Sequence, residues 1–196
     1  MKKTDKIINA LRNNGIDAFF VENKKDAKSK VLEMIPEGSQ VFTMTSVTLK
    51  EAGINEAIDE SGKYDSVRKK FATMDPATGK FEMKKIGSAP EYAIGSVHAV
   101  TEDGKLLIAS NTGSQLPAYA YGASKVIWVV GKQKIVKNVD EGIKRIYEYV
   151  LPLESVRLNK AYNINTGSFV SKLLIINREI EKGRASLILV NEKLGF

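Results

Sequence analysis

The sequence predicts an α/β protein with an open, mainly parallel sheet flanked by helices. One observation is that the chain opens with a helix, a strand, a helix and a strand, an alternation typical of parallel sheets. Another is the continuous apolar run over 126–130, which is typical of a central strand covered on both faces. A third is that no Pro-, Gly- or Ser-rich linker divides the 196 residues, so we expect one domain over 1–196.

The first half of the chain is predicted from local signals. Thr4 is a suitable N-cap and Gly15 a suitable stop for the first helix. Thr48 and Glu51 form a capping box for a later helix, which Gly53 breaks. The predicted elements are a helix over 4–13, a strand over 16–21, a helix over 27–35, a strand over 40–44 and short helices on either side of residue 53.

The second half carries fewer clear signals at its start. We expect 62–87 to be a mobile excursion with broken helices around a turn at 75–79. Ser88 and Glu91 predict a short helix that ends near Gly95. The remaining predicted elements are strands over 96–101 and 105–109 joined by Asp103-Gly104, a helix over 138–150, and strands over 173–177 and 186–191 that pair as a hairpin at a sheet edge.

Composition excludes several classes of protein. The chain contains no cysteine, which excludes a disulfide framework, a thiolate-held iron–sulfur cluster and a cysteine nucleophile. No run of about 18 apolar residues predicts a membrane helix. The first residues are too polar for a signal peptide, so we expect a cytoplasmic protein without membrane association.

The net charge of +7 could attract an anionic partner. Acidic residues are interleaved with the basic groups, however, and no basic helix face is lined by aromatic side chains, so we expect no nucleic-acid binding. The chain has neither a Walker A sequence nor a G-x-G-x-x-G segment, which argues against classical P-loop and NAD sites and leaves the cofactor unknown. A single histidine without cysteine also predicts no zinc site, and no paired-acid motif indicates another metal.

Two polar loops that follow predicted strands are the best candidates for ligand binding. In open α/β sheets, ligands bind beyond the carboxyl ends of the strands, where backbone N–H groups and hydroxyls favour an anion. Alternatively, the first loop merely caps a helix and the second is an ordinary turn. The candidate ligand-binding residues are Thr45, Ser46 and Thr48 in the first loop, and Ser110, Asn111, Thr112 and Gly113 in the second.

Three ionisable residues are further candidates, each with a plainer alternative. Glu102, beside the hairpin turn, is a candidate catalytic nucleophile or base, or an exposed acid at a hairpin tip. Lys134, just beyond the strand over 126–130, supplies positive charge if it folds inward, and is otherwise a surface lysine. His98 is predicted to be a satisfied side chain of a strand.

Three blocks together resemble the LUD-domain (lactate-utilisation) family over roughly residues 1–160. They are TSVTLKEAG at 45–53, AIGSVHAVTEDGKLLIASNTGS at 93–114 and KVIWVVGKQKIVKNVDEGIKRI at 125–146. The resemblance implies the superfold shared by glucosamine-6-phosphate deaminase, ribose-5-phosphate isomerase and CoA transferases. It also implies a link to oxidation of L-lactate to pyruvate, beside iron–sulfur protein partners that would carry any cluster.

Three hypotheses follow for the function. The leading one is an accessory or binding protein of lactate or carboxylate metabolism that holds a small anionic metabolite. The second is an enzyme like CoA transferases or sugar-phosphate isomerases, in which Glu102 would form a glutamyl thioester. The third is a structural subunit that associates with a second copy or another chain, through an apolar face formed by residues 147–153 and the Leu-rich C-terminal strands.

Overall fold

The structure, a computed structural model, describes residues 3–196, so the first two residues of the predicted domain lie outside it. The elements are, in chain order, α1 (Lys3–Asn13), β1 (Asp17–Val21), α2 (Lys24–Glu33), β2 (Gln40–Thr43), α3 (Val47–Glu51), α4 (Ile54–Asp59), β3 (Asp65–Ser66), α5 (Val67–Thr73), α6 (Lys80–Ser88), β4 (Tyr92–Gly95), β5 (Ala99–Thr101), β6 (Leu106–Ser110), a π-helical turn (Ala118–Gly122), β7 (Lys125–Gly131), a 3₁₀ turn (Lys132–Lys134), β8 (Ile135–Val136), α7 (Val139–Arg145), a second π-helical turn (Ile146–Val150), α8 (Leu151–Tyr162), β9 (Lys172–Ile176) and β10 (Ala185–Val190).

The strands form two sheets, and the larger one is wholly parallel. Its six strands stand in the order β1-β10-β7-β4-β2-β3. The smaller sheet has the order β8-β5-β6-β9, with β6 antiparallel to both of its neighbours. The predicted α/β class with a mainly parallel sheet flanked by helices is therefore confirmed.

The central strand β7 shows why the larger sheet is buried on both faces. Val126, Trp128 and Val130 point into a core shared with α1 and the smaller sheet. Ile127 and Val129 point into a second core shared with α2, α3 and α4. A strand with cores on both faces needs apolar residues at every position, which is the pattern that the sequence carries.

Several predictions about elements were wrong, among them Thr4 as an N-cap, because α1 already begins at Lys3. Residues 92–95 form the buried strand β4 rather than the end of a helix, because α6 ends at Ser88 and Pro90 follows it. The last two strands do not form a hairpin: β9 pairs with β6, whereas β10 lies between β1 and β7. The α3 N-cap is Ser46, whose hydroxyl accepts from the Leu49 N–H, so Thr48 lies inside the helix and forms no capping box. The first strand begins one residue later than predicted, at Asp17.

The excursion over 62–87 contains regular structure. Strand β3 extends the sheet beside β2, and α5 and α6 follow it, which agrees with the expected broken helices. The buried Asp59 carboxylate accepts hydrogen bonds from Thr43 Oγ1 at 2.6 Å and Ser66 Oγ at 2.7 Å. These two bonds hold the start of the excursion against the end of β2.

A long helix over 139–162 contains a π-helical turn at its centre. Asn138 caps its start by accepting from the Glu141 N–H. At the turn, the Leu151 N–H reaches the carbonyl of Ile146, five residues back. Pro152 lies just after the turn and has no N–H to donate in the regular series of α-helical hydrogen bonds. This missing donor accounts for the π-helical turn at this point. Within residues 3–196, no helix is long and apolar enough to cross a membrane.

Candidate functional site

A cavity of about 480 Å³ lies beyond the carboxyl ends of three neighbouring strands, β2, β4 and β7. Its size is within the usual range for small-molecule sites. Residues that follow these strands line one side of it, and the second π-helical turn with α8 lines another. Parallel strands place their carboxyl ends at one edge, so segments distant in sequence meet here.

The structure brings the two predicted loops and Lys134 together. The predicted residues that line the cavity are Thr45, Ser46, Thr48, Ser110, Asn111, Thr112 and Lys134. Gly113 does not line it, but its N–H donates to Ser110 Oγ at 2.8 Å and its φ is +86°. Gly113 therefore shapes the second loop through its backbone, in a conformation that favours glycine.

Lys134 is buried at the base of the cavity, with 2% of its surface exposed. Its Nζ lies 3.0 Å from Thr48 Oγ1, 3.1 Å from Ser96 Oγ and 3.1 Å from the Val97 carbonyl oxygen. Burial, reinforced by the charge of Arg145 and opposed by Glu51, lowers the pKa of Lys134 to about 7. A buried lysine without a carboxylate contact is unusual, because desolvation of an ammonium group is costly.

His98 lies beside Lys134 in the cavity wall and is neutral. Burial, with the charges of Lys134 and Arg145, lowers the pKa of His98 to about 3. The Ala109 N–H donates to Nδ1 at 3.0 Å, which places the ring hydrogen on Nε2. Among residues 3–196, this Nε2–H has no protein acceptor, so it is available to a ligand.

Arg68 extends from α5 into the cavity. Its Nε donates to the Thr43 carbonyl at 2.5 Å and its Nη2 to Thr45 Oγ1 at 2.8 Å, so the guanidinium bridges the end of β2 to the first loop. The group also lies over the ring of Phe42. Burial lowers the pKa of Arg68, but a guanidinium stays protonated at neutral pH.

Positive charge therefore dominates the cavity lining. Glu154 is the one acidic side chain in the lining that the structure describes, and Arg157 binds both of its oxygens at 2.6 Å. Arg68 and Lys134 have no carboxylate partner among residues 3–196. An anionic ligand would supply that missing charge.

Sequence reasoning did not single out Arg68 or Ser96 as site residues. Arg68 lies among other basic residues in the sequence, and no local pattern distinguishes it from them. Ser96 was placed within a strand, because β4 was not recognised as the strand that precedes it. Gly95 was the one signal in the sequence that could have indicated a close approach next to Ser96. A Cβ at this position would overlap Tyr119 Oη, so only glycine lets the backbone pass the buried Tyr119 side chain.

Glu102 lies outside the cavity, at the opposite end of the hairpin. Its carboxylate forms an exposed ion pair with Lys3 at 2.7 Å. This pair, chiefly through its hydrogen bond, lowers the pKa of Glu102. The CoA-transferase hypothesis needs Glu102 to face the polar loops, and the structure does not place it there. No cluster of three or more metal-binding side chains occurs within residues 3–196.

Fold and site together define an α/β open-sheet domain with a cation-bearing cavity at the strand ends. The chain matches the LUD-domain family model over residues 4–190, and it belongs to that family. A search of curated protein sequences gave no match.

The solved structures that are similar to the chain include a DUF162 family protein and a ribose 5-phosphate isomerase A. The crystal structure of a DUF162 family protein from Deinococcus radiodurans has a TM-score of 0.58 at 11% identity, covering 97% of this chain and 98% of that one. This likeness supports the fold. The structure of ribose 5-phosphate isomerase A from Methanocaldococcus jannaschii has a TM-score of 0.43 at 14% identity, covering 88% and 95%.

Proposed function

We propose that this LUD-domain protein binds a small anionic metabolite, a carboxylate of the lactate or pyruvate type, in the cavity beyond β2, β4 and β7. Its role would be that of a binding or accessory component of carboxylate utilisation. The observation that carries the proposal is the guanidinium of Arg68, which stays charged in the cavity wall and has no carboxylate partner among residues 3–196. Such a wall attracts an anion and excludes a cationic ligand.

Each part of the cavity has a distinct role in this proposal. Arg68 would bind the carboxylate directly, because a guanidinium offers more donors than the two that Thr43 and Thr45 use. The neutral His98 would donate its Nε2–H to a hydroxyl or carbonyl oxygen of the ligand. Ser46, Asn111 and Thr112 would add hydrogen bonds at the mouth, with Ser110 and Gly113 fixing the shape of the second loop.

Thermal unfolding in the presence of candidate ligands tests this proposal. The ligands are lactate, pyruvate, sugar phosphates, folates, acyl-CoA, and nicotinamide or flavin cofactors. A ligand at about a hundred times its Kd adds roughly 2.7 kcal/mol to the free energy of unfolding. For a chain of this size, that raises Tm by several degrees.

The decisive variant is Arg68→Met, with Lys69→Met as its matched control. Both substitutions remove one positive charge from α5, but Lys69 is exposed and pairs with Glu60 at 3.5 Å outside the cavity. Arg68→Met should abolish the Tm shift, whereas Lys69→Met should retain it. Equal loss in both variants would mean that general surface charge, rather than the cavity, attracts the anion.

Assembly with another protein chain is a second candidate function. Helix α8 has no buried residue, and its exposed apolar side chains include Val156 and Tyr162. Phe169, after the helix, is also exposed, as is much of Tyr147 before it. The proposed partners are a second copy or an iron–sulfur protein, and light scattering of the purified chain distinguishes a homo-oligomer from a monomer that awaits a partner.

A further inference from the structure

Ser96, Lys134 and Thr48 form a hydrogen-bonded cluster that a binding role does not require. Lys134 Nζ lies between the two hydroxyls, 3.1 Å from Ser96 Oγ and 3.0 Å from Thr48 Oγ1. Ser96 follows β4, Thr48 is in the helix after β2, and Lys134 follows β7. All three line the same cavity, so this arrangement is open to a small ligand.

The partners of Lys134 determine the direction of each hydrogen bond. The Val97 carbonyl can only accept, so one N–H of Lys134 points to it. Thr48 donates its own hydrogen to the Leu194 carbonyl at 3.3 Å, so Thr48 Oγ1 accepts a second N–H. The third tetrahedral position on Nζ, which holds either a hydrogen or the lone pair, faces Ser96 Oγ.

This third position differs between the two protonation states. In the structure Lys134 Nζ donates to Ser96 Oγ, and the Ser96 hydroxyl donates to the Val97 carbonyl at 3.4 Å. In the neutral amine this position holds the lone pair, and the Ser96 hydroxyl can turn from Val97 to donate to Lys134. In the ammonium form it holds a third N–H, and the Ser96 hydrogen must turn away. When the amine is neutral, the geometry therefore allows the Ser96 hydroxyl to donate to the lone pair of Lys134, while two further bonds orient the amine.

We propose that Ser96 is a nucleophile and Lys134 its general base, and that the cavity catalyses acyl transfer from an ester or thioester of a small carboxylic acid. A nucleophile and base within hydrogen-bond reach, with the base oriented by a third group, is the arrangement that serine acyl-transfer enzymes use. Thr48 is the positioning residue, because it acts on the reaction only through Lys134. This activity goes beyond the metabolite binding proposed above.

The reaction balances with water as the acceptor. Ser96 Oγ attacks the acyl carbonyl carbon as its proton passes to Lys134 Nζ, and the tetrahedral oxyanion forms. The bond to the leaving alcohol or thiol then breaks, and that group takes the proton from Lys134. Water attacks the resulting seryl ester as one of its protons passes to Lys134. That proton then moves from Lys134 to Ser96 Oγ as the ester bond breaks, which releases the carboxylic acid and restores the Ser96 hydroxyl and the free amine. The neutral His98 supplies a free Nε2–H in the cavity wall of the kind that stabilises an oxyanion.

The charged groups around Lys134 favour a neutral amine at moderate pH. Arg145 lowers the pKa of Lys134, Glu51 raises it, and His98 is uncharged. Burial outweighs the effect of Glu51, so the pKa is about 7. A substantial fraction of the molecules should hold the free base near neutral pH, as general-base catalysis requires.

Covalent labelling with a fluorophosphonate tests the proposal. The Ser96 Oγ–P bond forms as the P–F bond breaks and fluoride leaves, and peptide mass spectrometry locates the label. The labelling rate of Ser96 should rise with pH through about 7, in parallel with deprotonation of Lys134. Lys134→Met should lower the rate by at least about a hundredfold and remove this inflection.

Several comparisons keep the result interpretable. Ser124→Ala, which removes an exposed hydroxyl outside the cavity, should leave the labelling unchanged. Ser96→Ala should lose the label while its circular dichroism spectrum stays that of the folded chain. A label on another cavity hydroxyl, no label at all on the folded wild-type chain, or an unchanged rate in Lys134→Met would overturn the proposal. Metabolite binding is measured separately by thermal shift, so the binding proposal can survive any of these results.

Discussion

Substitution of Lys134 by methionine should change how stability depends on pH. The pKa of Lys134 is about 7 in the folded chain, against a reference value of 10.5. Because the folded value is lower, the unfolded chain binds more protons between these two values, so stability rises with pH across this window. Each pKa unit corresponds to about 1.4 kcal/mol, and integration from about pH 7 to about pH 9 gives roughly 2 kcal/mol.

The expected result is a difference between two stability curves. Free energies of unfolding in urea, measured from about pH 7 to about pH 9, should increase by roughly 2 kcal/mol more in the wild-type chain than in Lys134→Met. Lys137→Met, which removes an exposed lysine three residues away, should follow the wild-type slope. Parallel curves for the wild-type chain and Lys134→Met would refute the reasoning, because they would mean that the amine stays fully charged in the fold.

Two other substitutions test the supports of the cavity. Gly95→Ala should lower the free energy of unfolding, measured in urea, by roughly 1–3 kcal/mol, because the new Cβ overlaps Tyr119 Oη. Adding Tyr119→Phe removes that oxygen and should recover part of the lost stability. Arg184→Met should cost roughly 3–5 kcal/mol, measured in the same way, because it leaves the Glu179 carboxylate and three main-chain carbonyls without their buried cation. If the urea concentration at the unfolding midpoint of Arg184→Met were within error of the wild-type value, Arg184 would not stabilise the fold as described.

The sequence predicted the fold class well because the larger sheet has strong local signals. The apolar run over 126–130 indicated a central strand, and β7 is one. The positions of β9 and β10 were not predictable in the same way. Pairing between strands depends on where the chain returns in space, and β10 returns to the middle of the sheet beside β1 rather than to its neighbour in sequence.

The candidate site was predicted in part, for a physical reason. The two polar loops could be identified because each follows a strand, and Lys134 because it follows β7. Ser96 follows β4 in the same way, but β4 was read as helix, so the same rule could not be applied there. Arg68 reaches the cavity from α5, and whether a helix turns a basic residue inward depends on packing that no local pattern records.

The π-helical turn over 146–150 makes the cavity sensitive to helix phase. A π-helical turn accommodates one extra residue, and each residue of an α-helix turns the chain by about 100°. If Pro152 were replaced and the turn relaxed to regular helix, everything beyond it would rotate by roughly that angle. Glu154 and Arg157 would then leave the wall that they now form. The shape of one wall is thus set by the phase of a single helix, so a change at Pro152, which does not line the cavity, would alter it.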